Sequence, residues 1–388
     1  MPNTWANPAH RAQWTLHRFR GTPMSLFIGL MSGTSLDGVD GVLVDFWAGA
    51  ARTLASSHVP YPDALREELL ALQATSENEL EREALAANRV AAVYAQCVEH
   101  VLAKTDIKPA DVRAVGAHGQ TIRHRPELGF TWQSLNGALL AELCGIDVIA
   151  DFRSRDVAAG GQGAPLVPAA HHALFGQEGK TRVLANLGGI ANISVLHPDG
   201  HVTGFDTGPG NVLMDEWIGR YLGRPYDEDG AWAGGGTVIP ALLAAMLSEP
   251  YFAAPPPKST GRDLFHADWL QRHVLNHLNA APQDVMATLT RLTAVTLATG
   301  IRQQAPATEI VYLCGGGAHN GTLMRMLANE LGSHVEVTTT DALGVAPTLV
   351  EALCWAWLAF RFDAREPGNL PSVTGAQGPR ILGALYPR

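Results

Sequence analysis

The order of apolar and polar residues divides this chain into two similar series of strands and helices. Apolar runs at 25–31 and 39–46 flank a polar, glycine-rich turn, and this order predicts a hairpin. A second unit of the same kind covers 182–196, where the glycines within 187–190 separate two apolar runs. Because each half of the chain carries one strand–turn–strand unit, we predict a duplicated fold with a cleft between the halves.

Apolar positions three and four residues apart predict the helices of the chain. They indicate two helices within 62–104 and further helices at 139–144, 282–304, 322–331 and 349–362. Short apolar runs at 112–117, 148–150 and 310–313 predict additional strands. No low-complexity linker interrupts the series, so we expect the two halves to be closely joined.

The length and the net charge of the chain limit its domain number and its possible partners. A chain of 388 residues exceeds the length at which a single core usually divides, so two domains are expected. The formal net charge of −9 argues against nonspecific nucleic-acid binding, which requires a basic surface. It still permits a phosphate-containing ligand, because backbone N–H groups and Mg²⁺ can bind phosphate locally.

The cysteine and hydropathy patterns indicate a cytoplasmic protein without a membrane span. The four cysteines show neither C-x-x-C nor zinc-site spacing, so buried, reduced thiols are expected. The apolar stretch 137–150 is interrupted by two acids. Residues 1–24 contain three arginines but lack the apolar core of a signal peptide. We expect them to be a disordered arm, or the result of a start site assigned upstream of Met24.

The first glycine-rich turn combines residue types that suit a phosphate group. Its glycines allow backbone N–H groups to approach phosphate oxygens closely, and Thr34 and Ser35 add hydroxyl donors. Asp37 can hold hydrated Mg²⁺, which prefers one or two carboxylates together with water and phosphate. The same residues are equally compatible with a plain hairpin closed by an Asp-Gly turn. The spacing differs from that of a Walker A loop.

Two further glycine clusters carry the same ambiguity. Gly188 and Gly189 form the turn of the second hairpin, where close approach of a ligand is again possible. Gly315, Gly316 and Gly317 follow a predicted strand and precede a helix, so a nucleotide ring can lie against their flat backbone. Each cluster alone is also compatible with an ordinary loop. The matched pair of hairpin turns, however, favours two phosphate-binding turns across one cleft.

Asp206 stands in the string Phe-Asp-Thr-Gly-Pro-Gly-Asn, after an apolar run and before a predicted turn. A carboxylate in that place can act as a general base, or it can cap the turn as an Asx residue. Asp-Thr-Gly also occurs in aspartic proteases, but those enzymes need two such carboxylates that share a proton. No second Asp-Thr-Gly or Asp-Ser-Gly string exists in this sequence, which argues against a protease.

Two charged residues qualify as ligand contacts. Glu351 is an acid in a strongly apolar predicted helix, and a buried unpaired carboxylate is costly, so it must face water, a partner or a ligand. Arg153 follows a short predicted strand, where it can pair with neighbouring acids or receive a carboxylate-bearing substrate. The basic, hydroxyl-bearing segment 258–262 can bind an anion or remain solvated, and its composition does not decide between these.

Taken in order, these strings resemble those of the anhydro-N-acetylmuramic acid kinase family. The matching strings are 29–38 (GLMSGTSLDG), 118–124 (HGQTIRH), 150–153 (ADFR), 160–168 (GGQGAPLVP), 205–211 (FDTGPGN), 229–232 (DGAW), 257–262 (PKSTGR), 314–317 (CGGG) and 382–386 (LGALY). They extend from about residue 25 to the C-terminus. So many strings in one order make the resemblance specific.

The resemblance implies an α/β fold of the actin and hexokinase ATPase type, with two duplicated domains around a cleft that binds ATP and Mg²⁺. Domain I is expected at 25–151, which the C-terminal segment 372–388 can join, and domain II at 152–371. The resemblance also implies a homodimer that acts on a small sugar, without a nucleic-acid or membrane partner.

The implied reaction belongs to cell-wall recycling. The kinase phosphorylates 1,6-anhydro-N-acetylmuramic acid and opens its anhydro bridge, giving N-acetylmuramic acid 6-phosphate and ADP. By analogy, Asp206 activates the water that attacks the anomeric carbon. ATP and its phosphates are expected at Ser32, Gly33, Thr34, Ser35, Leu36, Asp37, Gly38, Val39, Gly188, Gly189, Gly315, Gly316 and Gly317. The sugar is expected at Glu351, Arg153 and Gln120, and Mg²⁺ at Asp37.

Two alternatives remain compatible with the sequence. Another kinase of the same fold, acting on an ordinary sugar hydroxyl or a carboxylate, would share the phosphate-binding turns. An ATP-driven clamp of the actin or heat-shock chaperone kind would share them as well, but it has no use for Asp206.

Overall fold

Two large β-sheets and their covering helices make up the part of the chain that the computed structural model describes, namely residues 25–33, 35–47, 50–256, 258–262 and 264–388. The expected N-terminal extension at 1–24, Thr34 of the first turn and Pro257 of a matching string lie outside these residues. In the described ranges, no helix is both long and apolar enough to cross a membrane.

The described residues form thirteen strands and fourteen α-helices. The strands are β1 (Leu26–Met31), β2 (Gly38–Trp47), β3 (Ala50–Pro60), β4 (Ala114–Ala117), β5 (Gln120–Arg125), β6 (Phe130–Ser134), β7 (Val148–Ala150), β8 (Arg182–Leu187), β9 (Ile190–Leu196), β10 (Val202–Pro209), β11 (Ile310–Cys314), β12 (Glu336–Thr339) and β13 (Ala384–Tyr386). The helices are α1 (Asp63–Leu72), α2 (Glu79–Leu102), α3 (Gly137–Cys144), α4 (Ser154–Ala158), α5 (Val167–Phe175), α6 (Val212–Leu222), α7 (Ala231–Gly234), α8 (Pro240–Leu247), α9 (Pro250–Ala253), α10 (Ala267–Val274), α11 (Pro282–Gln304), α12 (Gly321–Leu331), α13 (Val350–Asp363) and α14 (Pro371–Thr374).

The two large sheets repeat one strand order. The first sheet is β13-β7-β4-β1-β2-β3 and the second is β10-β9-β8-β11-β12. Without β13, each sheet contains five strands. If the strands of each sheet are numbered in the order in which they occur in the chain, both sheets have the spatial order 3-2-1-4-5. In both sheets the first strand pairs antiparallel with the second and parallel with the fourth. This repeat confirms the duplicated α/β fold that the two hairpins predicted.

The helices cover both faces of the first sheet, which explains why its central strand is apolar throughout. β1 has the sequence LFIGLM and is buried along nearly its whole length. On one face it shares a core with α1, α2 and α3. The second sheet shares a core with α6, α11 and α12 on its own outer face.

α13 lies between the two sheets. It packs across β1, β2 and β4, and its apolar residues share a core with Tyr312 of the second sheet. Two glycines of the first sheet make room for it. A Cβ atom on Gly29 would lie 1.9 Å from the carbonyl oxygen of Ala352, and one on Gly116 would lie 2.1 Å from that of Trp355. Close packing on these glycines therefore fixes the position of the helix.

All six helices predicted from periodicity are confirmed, by α1, α2, α3, α11, α12 and α13. Pattern analysis missed β3, the separate β5–β6 ribbon, β12 and the C-terminal part of β10. The C-terminal β13 pairs antiparallel with β7 of the first sheet. α13, which the sequence analysis assigned to domain II, packs on the first sheet as described above. The division at residues 151 and 371 stays a prediction.

Candidate active site

Parallel strands place the segments that follow them at one edge of a sheet. β1, β4 and β7 are parallel neighbours, so the turn at 32–37, the segment 118–120 and Arg153 leave the first sheet at the same edge. β8 and β11 likewise place the turn at 188–189 and the glycines 315–317 at one edge of the second sheet. Ligands of open α/β sheets bind at this edge.

The segment after β4 forms hydrogen bonds with the first glycine turn, and each of these bonds involves a backbone carbonyl group of one of the two segments. Ser32 Oγ donates to the carbonyl oxygen of Gly119 at 3.0 Å, and the buried Gln120 Nε2 donates to that of Gly33 at 3.1 Å. His118 Nδ1 lies 3.2 Å from the carbonyl oxygen of Ser32. Gln120 therefore contacts the first glycine turn, and the contact with the sugar that the resemblance implies stays a prediction. Its Oε1 is buried without a protein partner.

The remaining described residues of the first turn divide into buried and exposed positions. The side chains of Leu36 and Val39 are buried in the core, so any contact they make with a phosphate comes from their backbone. Leu36 has a φ of 57°, a left-handed conformation that is costly for a leucine and is frequent at ligand sites. Ser35 Oγ donates to Asp37 Oδ1 at 2.8 Å, and both side chains are exposed.

Arg153 is held in place by three groups. Its Nε donates to His118 Nε2 at 3.2 Å and its Nη1 donates to the carbonyl oxygen of Gly163 at 2.8 Å. The guanidinium carbon lies 5.3 Å from the centroid of the Trp355 ring. Burial lowers the pKa of Arg153 to about 10, an effect that the nearby Glu351 carboxylate opposes. The guanidinium group therefore stays charged and is strongly oriented.

Glu351 lies in the first turn of α13, between the two sheets. Asn186 Nδ2, from the end of β8, donates to Glu351 Oε1 at 3.4 Å. Burial raises the pKa of Glu351 to about 7; Asp40 adds to this rise, and Arg153 opposes it. A carboxylate with this pKa can bind a cation or a proton near neutral pH.

The sequence analysis did not identify Asp215, which lies in the first turn of α6. Burial raises the pKa of Asp215 to about 7; Arg262 opposes the rise and Asp37 adds to it. Asp37 also contributes to the raised pKa of Glu351. The first turn thus carries an acid whose charge acts on acids of both α6 and α13. Among the described residues, no three potential ligands converge closely enough to form a ready metal site.

The second glycine turn is fixed by the start of α6. The N–H groups of Gly210 and Val212 donate to the carbonyl oxygen of Gly189 at 2.9 and 3.1 Å. The N–H of Asn211 donates to that of Gly188 at 2.9 Å. Backbone hydrogen bonds thus join the start of α6 to the second glycine turn.

The third glycine cluster packs beside the second turn and the start of α6. Gly315 has a φ of 80°, and a Cβ there would lie 2.4 Å from Asn186 Oδ1. A Cβ on Gly317 would lie 2.7 Å from Asn211 Oδ1. Gly316 differs from both, because a Cβ there would meet no atom within 4 Å. Gly316 thus faces open space, as a surface for a nucleotide requires.

Asp206 occupies a different position from the expected one. The sequence analysis placed it between a strand and a turn, but it lies inside β10, opposite Asn192 of β9. The pairing register shifts between Asp206 and Gly208, so a β-bulge follows the acid. Bulges often redirect a side chain next to an active site. The strand therefore continues past Asp206 through the bulge and ends at Pro209.

A segment around residues 251–260 covers Asp206. The N–H of Thr260 donates to Asp206 Oδ2 at 3.0 Å, and the Tyr251 hydroxyl donates to the Asp206 carbonyl oxygen at 2.5 Å. Lys258 Nζ donates to the Tyr251 carbonyl oxygen at 3.0 Å. Burial raises the pKa of Asp206 to about 6, and the Thr260 hydrogen bond opposes this rise. A carboxylate of this kind is a suitable base just above pH 6.

The expected residues thus form two connected groups. Glu351 and the glycine triplet both approach Asn186, which stands at the end of β8 just before the second turn. Asp206 interacts mainly with the 251–260 segment. Tyr251 and Thr260 were missed as neighbours of Asp206; the only signal in the sequence was the matching string at 257–262.

The repeated five-strand order and the glycine turns at the strand ends define a duplicated α/β protein. A family model described as anhydro-N-acetylmuramic acid kinase matches residues 25–388, and the chain belongs to this family. It is 58% identical over 369 residues to the anhydro-N-acetylmuramic acid kinase of Cupriavidus pinatubonensis, covering 93% of this chain and 98% of that one. It is 54% identical over 393 residues to the enzyme of the same name from Burkholderia orbicola, covering 100% of both chains.

Solved structures show a more distant similarity. Component A of the (R)-2-hydroxyglutaryl-CoA dehydratase from Acidaminococcus fermentans is 13% identical with a TM-score of 0.48, covering 88% of this chain and 99% of that chain. The ROK hexokinase from Thermus thermophilus is 15% identical with a TM-score of 0.39, covering 86% of this chain and 99% of that chain.

Proposed function

We propose that this chain transfers the γ-phosphoryl group of ATP to 1,6-anhydro-N-acetylmuramic acid and opens the anhydro ring in the same event. The products are N-acetylmuramic acid 6-phosphate and ADP, as cell-wall recycling requires. The observation that carries the ring-opening step is the Asp206 carboxylate, which the 251–260 segment covers and whose pKa burial raises to about 6. A plain ATPase or clamp has no need of such a base.

In the proposed step, Asp206 takes a proton from a water molecule while the water oxygen bonds to the anomeric carbon. The bond between that carbon and the bridging oxygen breaks, and the bridging oxygen bonds to the γ-phosphorus. ADP leaves with the electrons of the broken phosphoanhydride bond. The Thr260 N–H keeps one Asp206 oxygen occupied, at 3.0 Å, which leaves the other oxygen to accept the proton.

ATP is assigned to the glycine clusters. The first turn and Gly188–Gly189 lie at the edges of the two sheets, and the open face of Gly316 suits the nucleoside. Positioning and charge stabilisation are the main demands of phosphoryl transfer, and backbone N–H groups supply both. Arg153 is assigned to the lactyl carboxylate of the sugar, because a guanidinium group binds a carboxylate in a two-pronged geometry.

The residues also fit Mg²⁺. This ion usually binds one or two protein carboxylates and takes its other ligands from water and phosphate, so a ready cluster of three is unnecessary. Asp37 is exposed, and besides burial, which is the main cause, its charge adds to the raised pKa values of Glu351 and Asp215, a repulsion that a cation would relieve. We assign the ion to Asp37; Glu351 and Asp215 would add negative charge that favours a cation at this turn. When bound, Mg²⁺ neutralises charge that develops on the phosphates.

The proposed chemistry is tested by running the reaction in water labelled with heavy oxygen. If water attacks the anomeric carbon, mass analysis of the product will find the label at the anomeric hydroxyl and none in the phosphate. Label in the phosphate, or an unlabelled sugar, contradicts the coupled mechanism. The open sugar serves as a competing substrate: a kinase that phosphorylates it as fast as the anhydro-sugar belongs to the alternative class of ordinary sugar kinases.

The raised pKa of Asp206 predicts the acid limb of the pH–rate profile. Below about pH 6 the Asp206 carboxyl is mostly protonated and cannot accept a proton from water. The kcat/KM for the sugar should therefore fall roughly tenfold per pH unit below that pH. Initial rates between pH 4.5 and 8.5 measure this. ATP binding is measured in parallel, because phosphate groups also titrate near pH 6. A profile that stays flat to pH 5 would exclude Asp206 as the base.

The family resemblance also leads us to propose a cytoplasmic homodimer. All four cysteines are free thiols, which supports a reducing compartment. Phe130 and Trp132 project from the same face of β6 and are 42% and 53% exposed, which supports an interface on that ribbon. Light scattering of the purified chain, giving one or two copies per particle, decides the oligomeric state.

A further inference from the structure

His118 contacts two functional parts of the site with one ring. It directly follows β4, is 5% exposed, and its ring stacks on Trp355 with centroids 4.4 Å apart and planes 28° apart. Nδ1 lies 3.2 Å from the carbonyl oxygen of Ser32 in the phosphate turn. Nε2 lies 3.2 and 3.0 Å from Nε and Nη2 of Arg153. The ring is thus placed between the phosphate turn and the guanidinium group.

The partners of the ring determine its protonation. Arginine only donates hydrogen bonds, so Nε2 of His118 must be an acceptor and carries no hydrogen. In a neutral imidazole the other nitrogen then carries the hydrogen, and Nδ1 donates to Ser32. Burial, with the charge of Arg153, keeps the pKa of His118 well below its usual range. The ring therefore stays neutral and keeps one donor and one acceptor in fixed places.

The contact with Ser32 orients a backbone N–H. In a trans peptide, the carbonyl group of one residue and the N–H of the next point in opposite directions. With the Ser32 carbonyl turned toward His118, the N–H of Gly33 points away from the ring. The Gly33 Cα also has room beside it, because apart from its chain neighbours the nearest atom to a Cβ there would be Ser35 Oγ, at 3.5 Å. A phosphate oxygen bound there could accept from this N–H.

We propose that His118 is a positioning residue that couples the phosphate turn to Arg153, so that one neutral ring sets the geometry of both the ATP side and the sugar side. This inference rests on the proposed function, in which Arg153 binds the sugar carboxylate. His118 is not assigned a contact with the reacting atoms of ATP or of the sugar. The ring acts through the Ser32–Gly33 peptide and through the guanidinium group.

The experiment compares His118→Phe with Arg153→Gln and with the double variant. Phenylalanine keeps the stacking on Trp355 but removes both hydrogen bonds. We expect His118→Phe to weaken ATP binding without sugar, measured by calorimetry, and to raise the KM for the anhydro-sugar, each by about tenfold to a hundredfold. Arg153→Gln should raise only the KM. In the double variant the KM should rise no further than in Arg153→Gln, because His118 acts on the sugar through Arg153.

His171→Phe is the matched control. His171 is also buried and its Nδ1 lies 3.0 Å from Ser194 Oγ, but it belongs to α5 and contacts neither the turn nor Arg153. It should lose a similar amount of stability while ATP affinity and KM stay within twofold of the wild type. His118→Gln, whose amide offers both a donor and an acceptor, should restore part of both constants, and it replaces His118→Phe if that variant does not fold.

Two results would overturn the inference. One is an ATP dissociation constant and a KM in His118→Phe that match those of His171→Phe. The other is a strictly additive rise of the KM in the double variant. If the wild-type chain does not phosphorylate the anhydro-sugar, the proposed function fails instead. The ATP measurement remains decisive for the phosphate turn in that case.

Discussion

Asp206→Asn is expected to lower the turnover of the anhydro-sugar by about a hundredfold to ten-thousandfold while ATP still binds. The amide cannot take a proton from water, so ring opening and phosphorylation should be lost together. The replacement is nearly isosteric, and its carbonyl oxygen can still accept from the Thr260 N–H, now at 3.0 Å from Asp206 Oδ2. Turnover is measured as ADP release, and binding by calorimetry with ATP alone.

The same variant should be more stable than the wild type above neutral pH. The pKa of Asp206 is raised in the folded chain, to about 6 from 3.8. Its contribution to stability is therefore complete below about pH 4 and is lost as the pH rises through about 6. At pH 8 the wild-type chain bears the cost of a buried carboxylate, and asparagine removes it. Thermal unfolding of the unliganded proteins should show a higher midpoint for Asp206→Asn at pH 8 and a smaller difference at pH 5.

Asp199→Asn is the control for this substitution. Asp199 lies in the loop that joins β9 and β10, and its Oδ1 accepts a backbone N–H, from His201 at 3.0 Å. It is exposed, and the His201 N–H lowers its pKa, so it has the same local role without the buried environment. Turnover should be unchanged in this variant. If Asp206→Asn still opened the ring at a near-normal rate, another base would have to be found.

The local patterns of the sequence predicted most of the regular structure. Strand–glycine–strand units at 25–46 and 182–196 were visible because apolar runs and glycines alternate over short distances. The continuation of β10 beyond Asp206 was missed for a physical reason: Gly208, Pro209 and Gly210 normally end a strand, but here a bulge accommodates Gly208 within it. Hydrogen-bonded pairing with β9 keeps this segment in the sheet, and a local sequence pattern around Asp206 does not show that pairing.

The long-range contacts of the site could not be predicted in this way. α13 was found as a helix from its own residues, but its place between the sheets depends on Gly29 and Gly116, which lie hundreds of residues earlier. Asp215 also belongs to no recognised motif, and only its burial in the folded chain, which raises its pKa to about 7, draws attention to it. The sequence likewise did not predict that Gln120 donates a hydrogen bond to the carbonyl oxygen of Gly33 in the first turn.

Gly29→Ala is expected to destabilise the whole chain by about 3 kcal/mol or more, because overfilled cores cost this much when backbone must move. The added Cβ would lie 1.9 Å from the carbonyl oxygen of Ala352 and 2.5 Å from the nitrogen of Ala356. Both are helix backbone, so α13 must shift away from β1, and Glu351 shifts with it. Low soluble yield, or a thermal midpoint lower by roughly 5 °C or more, is the expected result.

The control for this glycine is one that has room. A Cβ on Gly219, inside α6, would meet its nearest neighbour, the carbonyl oxygen of Arg224, at 3.7 Å, an ordinary contact. Gly219→Ala should therefore stabilise the chain by roughly 0.4–1 kcal/mol, since alanine restricts the unfolded chain and favours the helix. Both substitutions add one methyl group. Opposite shifts of the thermal midpoint would therefore show that the steric clash at Gly29, and not the methyl group itself, destabilises the chain. Equal midpoints for Gly29→Ala and the wild type would mean that α13 does not pack on β1 as closely as 1.9 Å implies.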